Sequence, residues 1–367
     1  MKFTINRDQL LTPLQQIVSV IEKRQTMPIL SNVLLQLVDQ QLTMTGTDTE
    51  IQIVSTIQSE FPAENGQITV PARKFLDICR LLPANAEISF QLQDDKIKLS
   101  SGRSRFSLSS LPAEHYPEFN ATEADYQFSI NSGKLKKALD KTLFCMANQD
   151  VRYYLNGLLL HISNSRLKLV ASDGHRLAIY EDDIGHATGY EVRIIIPRKA
   201  VQELHRLLDD ADLELGVQFS NNFIRVEYKQ VVFSSKLIDA KFPDFSKVFS
   251  QDAMPPLVIA KQSLRDALTR VAILSNEKYK GVSFDIGRES LKLSAHNPEH
   301  DSAEEELLID FAGEPLNIAF NSQYILDAVS NLDSDTARIT IATNASSCFV
   351  EDPEQHAFRF VVMPMRM

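Results

Sequence analysis

Two short clusters carry residue types that could do chemistry. Ser172, Asp173 and His175 supply a hydroxyl, a carboxylate and an imidazole, the groups of a hydrolytic nucleophile, its orienter and its base. Residues this close along a turn rarely bring those groups into line, so the expectation is a turn and not a triad. His296 and His300, with Glu299 between them, have the spacing of a zinc-binding helix, but Pro298 removes an amide hydrogen and breaks that helix. The three cysteines, Cys79, Cys145 and Cys348, are odd in number and far apart, which argues against a disulfide framework and against a zinc site. No phosphate-binding loop of the GxxxxGK type exists, and no carboxylate cluster has metal-ligand order. The expectation is a chain with no catalytic residues, no metal and no cofactor. An enzyme acting on nucleic acid stays open as an alternative.

The elements that hold these residues recur about every 125 residues. Phe3-Thr4-Ile5-Asn6, followed by Leu10, Leu14 and Ile17, returns as Phe128-Ser129-Ile130-Asn131 followed by Leu135, Leu139 and Thr142, and again from Leu257 with Leu264 and Leu268. Alternation giving way to apolar residues three and four apart is a strand running into an amphipathic helix. A second block, ITVPARKFLDICRLL from Ile68, returns as IIIPRKAVQELHRLL from Ile194 and IAFNSQYILDAVSNL from Ile318. Pro71 and Pro197 stand where a strand ends and a helix can start without the missing amide hydrogen. LTMTGTD, LKLVASD and LKLSAHN form a third set, and FSLSSLP, VFSSKLI and FRFVVMP a fourth. The pattern predicts an α+β chain of three repeated domains, 1–122, 123–252 and 253–367, divided at turn-rich segments. Each should hold two helices and about eight strands, with the helices on one face of antiparallel sheet.

With 44% hydrophobic residues in 367, the chain can bury several cores, and the absence of biased tracts excludes widespread disorder. The N-terminus lacks the apolar core of a signal peptide, and no run approaches 18 apolar residues. A soluble, cytoplasmic protein with no membrane partner is expected. The net charge of −10 argues against a nucleic-acid partner only if the charges are evenly spread. Six predicted helices, 7–24, 72–82, 133–146, 198–208, 261–274 and 322–331, carry +1, +2, +3, +2, +2 and −1. They total +9, which leaves −19 on the rest of the chain. A basic helical layer on an acidic body suits a polyanion. Nothing in the helices has the arrangement of a base-reading element, so the contact should be with phosphates. A monomeric scaffold whose basic helices bind acidic proteins is the alternative from another class.

Over its full length the sequence resembles the bacterial sliding clamp family, the beta subunit of the DNA polymerase III holoenzyme. The resemblance rests on MKFT, on GTD from Gly46, on VPARKFLDICR from Val70 and on SGRSRFSLSSLPA from Ser101. It continues through QDVRYYLNG from Gln149, SDGHRLA from Ser172, PRKAV from Pro197, KFPDF from Lys241, AILSNEKYKGV from Ala272 and the terminal VVMPMRM. It implies the DNA clamp fold, a head-to-tail homodimer closed into a ring around duplex DNA, and a non-catalytic role in polymerase processivity. A clamp loader, the replicative polymerase and other proteins bearing a clamp-binding motif are the implied partners, with the ring at the nucleoid during replication.

Carried over position by position, the resemblance implies DNA contacts at Arg24, Arg73, Gln149, Tyr153, Tyr154, Arg198 and Lys199. It implies a dimer contact of Lys74, Arg103, Arg105, Phe106 and Leu108 with Ile273, Leu274, Glu304, Glu305 and Glu306. From the residues alone, the acidic run reads equally as a solvated edge that discourages aggregation. The implied partner-peptide pocket comprises Leu155, Ser172, Gly174, His175, Arg176, Leu177, Pro243, Val248, Asn321, Tyr324, Ser347, Val361, Met363, Pro364, Met365 and Arg366. Without the resemblance, VVMPMRM reads equally as an edge strand with a frayed tail. Ser172, Lys247, Ala345 and Met367 depart from the family's usual Thr, Arg, Val and Leu.

Overall fold

Ile51–Gln58 reads IQIVSTIQ, and its side chains alternate between buried and half-buried, as a strand with one face on a core requires. The same alternation recurs along the chain and builds antiparallel sheets throughout the computed structural model. The structure describes all residues except 23–26, 60–62, 120–122, 210, 250–251 and 366–367. Arg24, Arg366 and Met367 therefore lie outside the described residues. Seven helices are present among those described: α1 (Arg7–Val20), α2 (Ala72–Leu81), α3 (Ser132–Asp140), α4 (Arg198–Leu207), α5 (Ser246–Phe249), α6 (Lys261–Ala272) and α7 (Ser322–Ser330). Twenty-four strands accompany them among the described residues, eight in each third of the sequence. No described helix is long and apolar enough to cross a membrane.

The chain forms two bodies. The first, Met1–Lys134 with Gln202–Leu237, holds a four-stranded sheet in the order Lys2–Asn6, Glu87–Gln93, Lys96–Ser101, Ser104–Ser109. Its eight-stranded sheet runs Gly66–Pro71, Asn32–Val38, Gln41–Thr47, Ile51–Gln58, Val231–Lys236, Phe223–Tyr228, Glu214–Phe219, Tyr126–Asn131. Helix α1 packs on α2 and on the strands Gln41–Thr47 and Ile51–Gln58. Gly46 permits that approach, because a Cβ there would come within 2.5 Å of Ile17 Cγ2. Phe3 stacks on Phe90 at 4.4 Å, and Phe75 of α2 meets Phe90 edge-on at 5.3 Å. Each buried ring stabilises the body by roughly 1.5–3 kcal/mol.

The second body, Leu135–Val201 with Ile238–Met367, repeats the scheme. Its eight strands run Glu191–Pro197, Gly157–Ser163, Arg166–Ser172, Arg176–Asp183, Phe358–Val362, Cys348–Glu351, Thr336–Ile341, Leu257–Ala260. Its four run Ser302–Leu308, Ser290–His296, Gly281–Ile286, Leu316–Asn321, with α6 against α7 and against Ser302–Leu308. Each eight-stranded sheet crosses from one sequence repeat into the next. In the first, Ile51–Ser55 pairs with Val231–Ser235; in the second, Arg176–Tyr180 pairs with Phe358–Val362.

Helix ends differ from expectation in two places that matter for charge. Helix α1 stops at Val20, where Ile21 turns extended and donates its amide to Val18 O at 3.2 Å, so Glu22 is outside the helix. Helix α3 stops at Asp140, and Lys141 turns inward to the Asn331 carbonyl and the Asp333 carboxylate, 4.4 Å from the centre of the Phe358 ring. As formed, α1 is neutral, α2, α3, α4 and α6 carry +2 each, and α7 carries −1. The basic bias is therefore held by four long helices instead of the five expected.

Candidate functional site

The cluster Ser172-Asp173-Gly174-His175 is a turn between the strands Arg166–Ser172 and Arg176–Asp183. The Ser172 hydroxyl donates to the Arg176 carbonyl at 2.8 Å and accepts the Gly174 amide at 3.0 Å. Asp173 Oδ1 accepts the amides of His175 and Arg176 at 2.9 and 3.0 Å, and its Oδ2 accepts from Arg176 Nε at 2.9 Å. Short polar side chains that bond their own backbone stabilise turns. Gly174 sits at φ +88°, and a Cβ there would lie 2.6 Å from Arg152 Nη1. Arg152 fills that space, donating to the Asp173 carbonyl at 3.0 Å and to Asp150 at 2.8 and 3.0 Å. The Arg152 guanidinium holds the Asp150 carboxyl down to about 2. His296 ends the strand Ser290–His296 and His300 lies in the turn that follows, in which Asn297 and Asp301 bond each other.

Beside the first turn lies a cleft of about 310 Å³. Leu155, Leu177, Phe242, Pro243, Phe245, Val248, Val361 and Met363 supply its apolar wall, with Arg152, Tyr154, Ser172, Gly174, Arg176 and Asp244 around them. Val170, Ile179, Ile195 and Phe349 form the buried floor behind that wall. Arg176 is its best-anchored cation. It reaches Asp327 at 2.5 Å and the Phe144 carbonyl at 2.8 Å, with its guanidinium 4.5 Å from the Tyr324 ring centre. Burial works against this charge, but Cys145, Asp327 and Asp173 outweigh it and raise the Arg176 pKa above its ordinary value. An apolar trough with fixed cations and bonded polar groups can bind an extended apolar segment with an acidic neighbour.

Of the pocket residues expected from sequence, Leu155, Ser172, Gly174, Arg176, Leu177, Pro243, Val248, Val361 and Met363 come together here. His175 stacks with Tyr324 at 6.4 Å to one side, and its carbonyl accepts the Met363 amide at 2.8 Å. Asn321 caps α7, accepting the Gln323 and Tyr324 amides at 3.0 and 3.3 Å. Ser347 is buried, and Met365 donates to Ala319 O at 2.7 Å and lines a separate hollow with Tyr279. Pro364 is half-buried between the two. Phe242, Asp244 and Phe245 were missed, although their segment echoes Tyr116-Pro117-Glu118-Phe119. Tyr154 and Arg152 also line the cleft, the former having been expected at DNA.

The remaining expected DNA contacts fall on both bodies, Arg73 on the first and Gln149, Tyr153, Arg198 and Lys199 on the second. Arg73 donates to Ile21 O at 2.7 Å, closing the end of α1. Arg198 donates to Met146 O at 2.6 Å, and burial lowers its pKa. Lys199 is half-buried, whereas Gln149, at φ +56°, and Tyr153 are exposed. Of the residues expected at a dimer contact, Arg103, Arg105, Phe106 and Leu108 lie on or beside the edge strand Ser104–Ser109, and Lys74 is exposed on α2. Glu304, Glu305 and Glu306 lie on the edge strand Ser302–Leu308 of the other body, and Ile273 is 75% exposed after α6, next to half-buried Leu274. Within the chain, Glu305 pairs with Arg270 and Glu304 with Lys292, the latter at 2.7 Å.

The DNA polymerase III beta subunit models match in sequence order: the N-terminal domain over residues 1–120, the central domain over 129–244 and the C-terminal domain over 246–366. The chain belongs to the DNA polymerase III beta subunit family. The beta sliding clamps of Vibrio cholerae and Escherichia coli K12 are 44% and 43% identical to it over 367 residues, all of each chain. Among solved structures, the Pseudomonas aeruginosa sliding clamp bound to griselimycin superposes with a TM-score of 0.97 at 43% identity. The griselimycin-bound Bartonella birtlesii clamp superposes at 0.95 and 34%, each over all of both chains. The fold is accordingly the sliding clamp fold of three repeated domains. The protein is a DNA sliding clamp, a ring-forming homodimeric processivity factor without catalytic activity that tethers the replicative polymerase to its template.

Proposed function

We propose that client proteins dock a short apolar segment in the cleft between Leu177, Val361 and Met363, with Arg176 and Arg152 fixing its polar end. The observation that carries this reading is an apolar trough beside two anchored cations in a chain whose relatives bind griselimycin. Tethering in this way raises a polymerase's effective concentration at its template without any catalytic group. Repeats 1–122, 123–252 and 253–367 form the three segments of each half-ring. Lys74, Arg103, Arg105, Phe106 and Leu108 of one copy meet Ile273, Leu274 and Glu304–Glu306 of the next. Opposite charges on two open strand edges support that pairing. Arg24, Arg73, Gln149, Tyr153, Arg198 and Lys199 touch phosphates, and an external ATPase, the clamp loader, opens the ring at the nucleoid. The test is Leu177→Glu in the full-length dimer. It should be retained on nicked circular DNA like the wild type yet lose polymerase binding at least tenfold; unchanged polymerase affinity refutes the cleft.

A further inference from the structure

The turn that frames the cleft occurs twice. In the first body, the Thr47 hydroxyl donates to Ile51 O at 2.7 Å and accepts the Thr49 amide at 3.0 Å. Asp48 Oδ1 accepts the amides of Glu50 and Ile51 at 2.9 and 2.7 Å. These are the bonds of Ser172, Asp173, Gly174, His175 and Arg176, displaced by 125 residues, and Thr49 at φ +78° matches Gly174 at +88°. The seam matches as well. Lys236 donates its amide to Glu50 O at 2.9 Å, as Met363 does to His175 O at 2.8 Å. Gln52 pairs with Ser234 where Leu177 pairs with Val361. Leu34 pairs with Thr45 where Leu159 pairs with Val170. The segment Tyr116-Pro117-Glu118-Phe119 borders this sheet face as Phe242-Pro243-Asp244-Phe245 borders the other, and a hollow of about 480 Å³ lies beside it.

The lining is what changes. By register, Val170, Leu177, Val361 and Met363 have Thr45, Gln52, Ser234 and Lys236 as counterparts: Thr45 and Gln52 line the hollow, Ser234 is buried, and Lys236, ion-paired with Glu50 at 3.0 Å, lines an adjoining hollow with Pro117 and Phe119. An apolar peptide laid in the first hollow would bury the Gln52 amide and the Thr45 hydroxyl without giving them partners, and the Lys236–Glu50 ion pair stands at the adjoining hollow. The backbone frame is retained while the surface that would attract such a peptide is absent.

We propose that each chain carries the client-docking frame twice and that these four side-chain positions confine apolar peptides to the second copy. The proposal rests on reading the second frame as the client cleft, and it makes the four positions specificity determinants of the ring. The probe is a fluorescein-labelled pentapeptide of two leucines, one phenylalanine and two glutamines, titrated against the full-length dimer. Wild type should take one peptide per chain and T45V/Q52L/S234V/K236M two. A quadruple variant that melts with wild type and still takes one overturns the proposal. Should that variant melt early, the reciprocal L177Q/M363K pair decides. Loss of the peptide at least tenfold at an unchanged melting temperature supports the proposal, and retained affinity overturns it. A wild-type chain that takes no peptide overturns the cleft reading itself, a result distinct from one site that cannot be duplicated.

Discussion

At the cleft, single atoms decide the shape. Gly174 holds a positive φ and leaves room that Arg152 occupies, so Gly174→Ala strains the backbone and displaces the guanidinium. The cost is about 1–2 kcal/mol. The expected result is a melting temperature lower by several degrees and a peptide affinity reduced about five- to tenfold, read by calorimetry and fluorescence polarisation. Asp352 shows how a buried carboxylate couples stability to pH. Burial alone would raise its pKa, but the Ser334 hydroxyl and the amides of Asp333, Ser334, Glu354 and Gln355 hold it at about 2. Its folded value lies below the unfolded one near 3.9, so its stabilisation is present above pH 4 and is lost as pH falls through 2. Thermal melts between pH 5 and 2 should lose on the order of 2 kcal/mol from this group, and Asp352→Asn should flatten that decline. None of these contacts was legible in the sequence. Ser172, Asp173 and His175 display the chemistry of a triad until the backbone amides that they serve are located.

Among the elements, the repeats were legible because strands that end in Pro71 and Pro197 and then turn helical leave a period in the chain. The sheet seams were not. Alternation in Ile51–Gln58 declares two faces, but its neighbour Val231–Lys236 lies some 180 residues away and is chosen by tertiary packing. The cleft was legible only in part, since KFPDF from Lys241 marks the family but only its Pro243 is carried to the pocket, and nothing in its spacing places Phe242, Asp244 and Phe245 on the cleft wall. Edge strands carry the most testable claim. Replacing Glu304, Glu305 and Glu306 by lysine should place like charges opposite Arg103 and Arg105. Sedimentation at micromolar protein should then show monomers, and an undisturbed dimer would refute the assigned edges. Asn321→Ala removes the cap of α7 and should cost about 1 kcal/mol, visible as a modest fall in melting temperature.

For the molecule as a whole, the charge count and the ring give separable effects. Reversal of Lys134 and Lys136 on α3 should slow loading several-fold at low salt, because steering depends on charge, while clamps already on closed circles should stay. Cutting the circle should release them; persistence on linear DNA would mean that adhesion, not enclosure, holds the track. The seams carry one more consequence. Because repeat boundaries fall inside hydrogen-bonded sheets, a fragment ending near residue 122 would present the Ile51–Gln58 strand with its outer amides and carbonyls bare. Such a piece has the profile of a fibre seed, so each third of this chain relies on its neighbour to cover an open edge, however plainly the letters divide them.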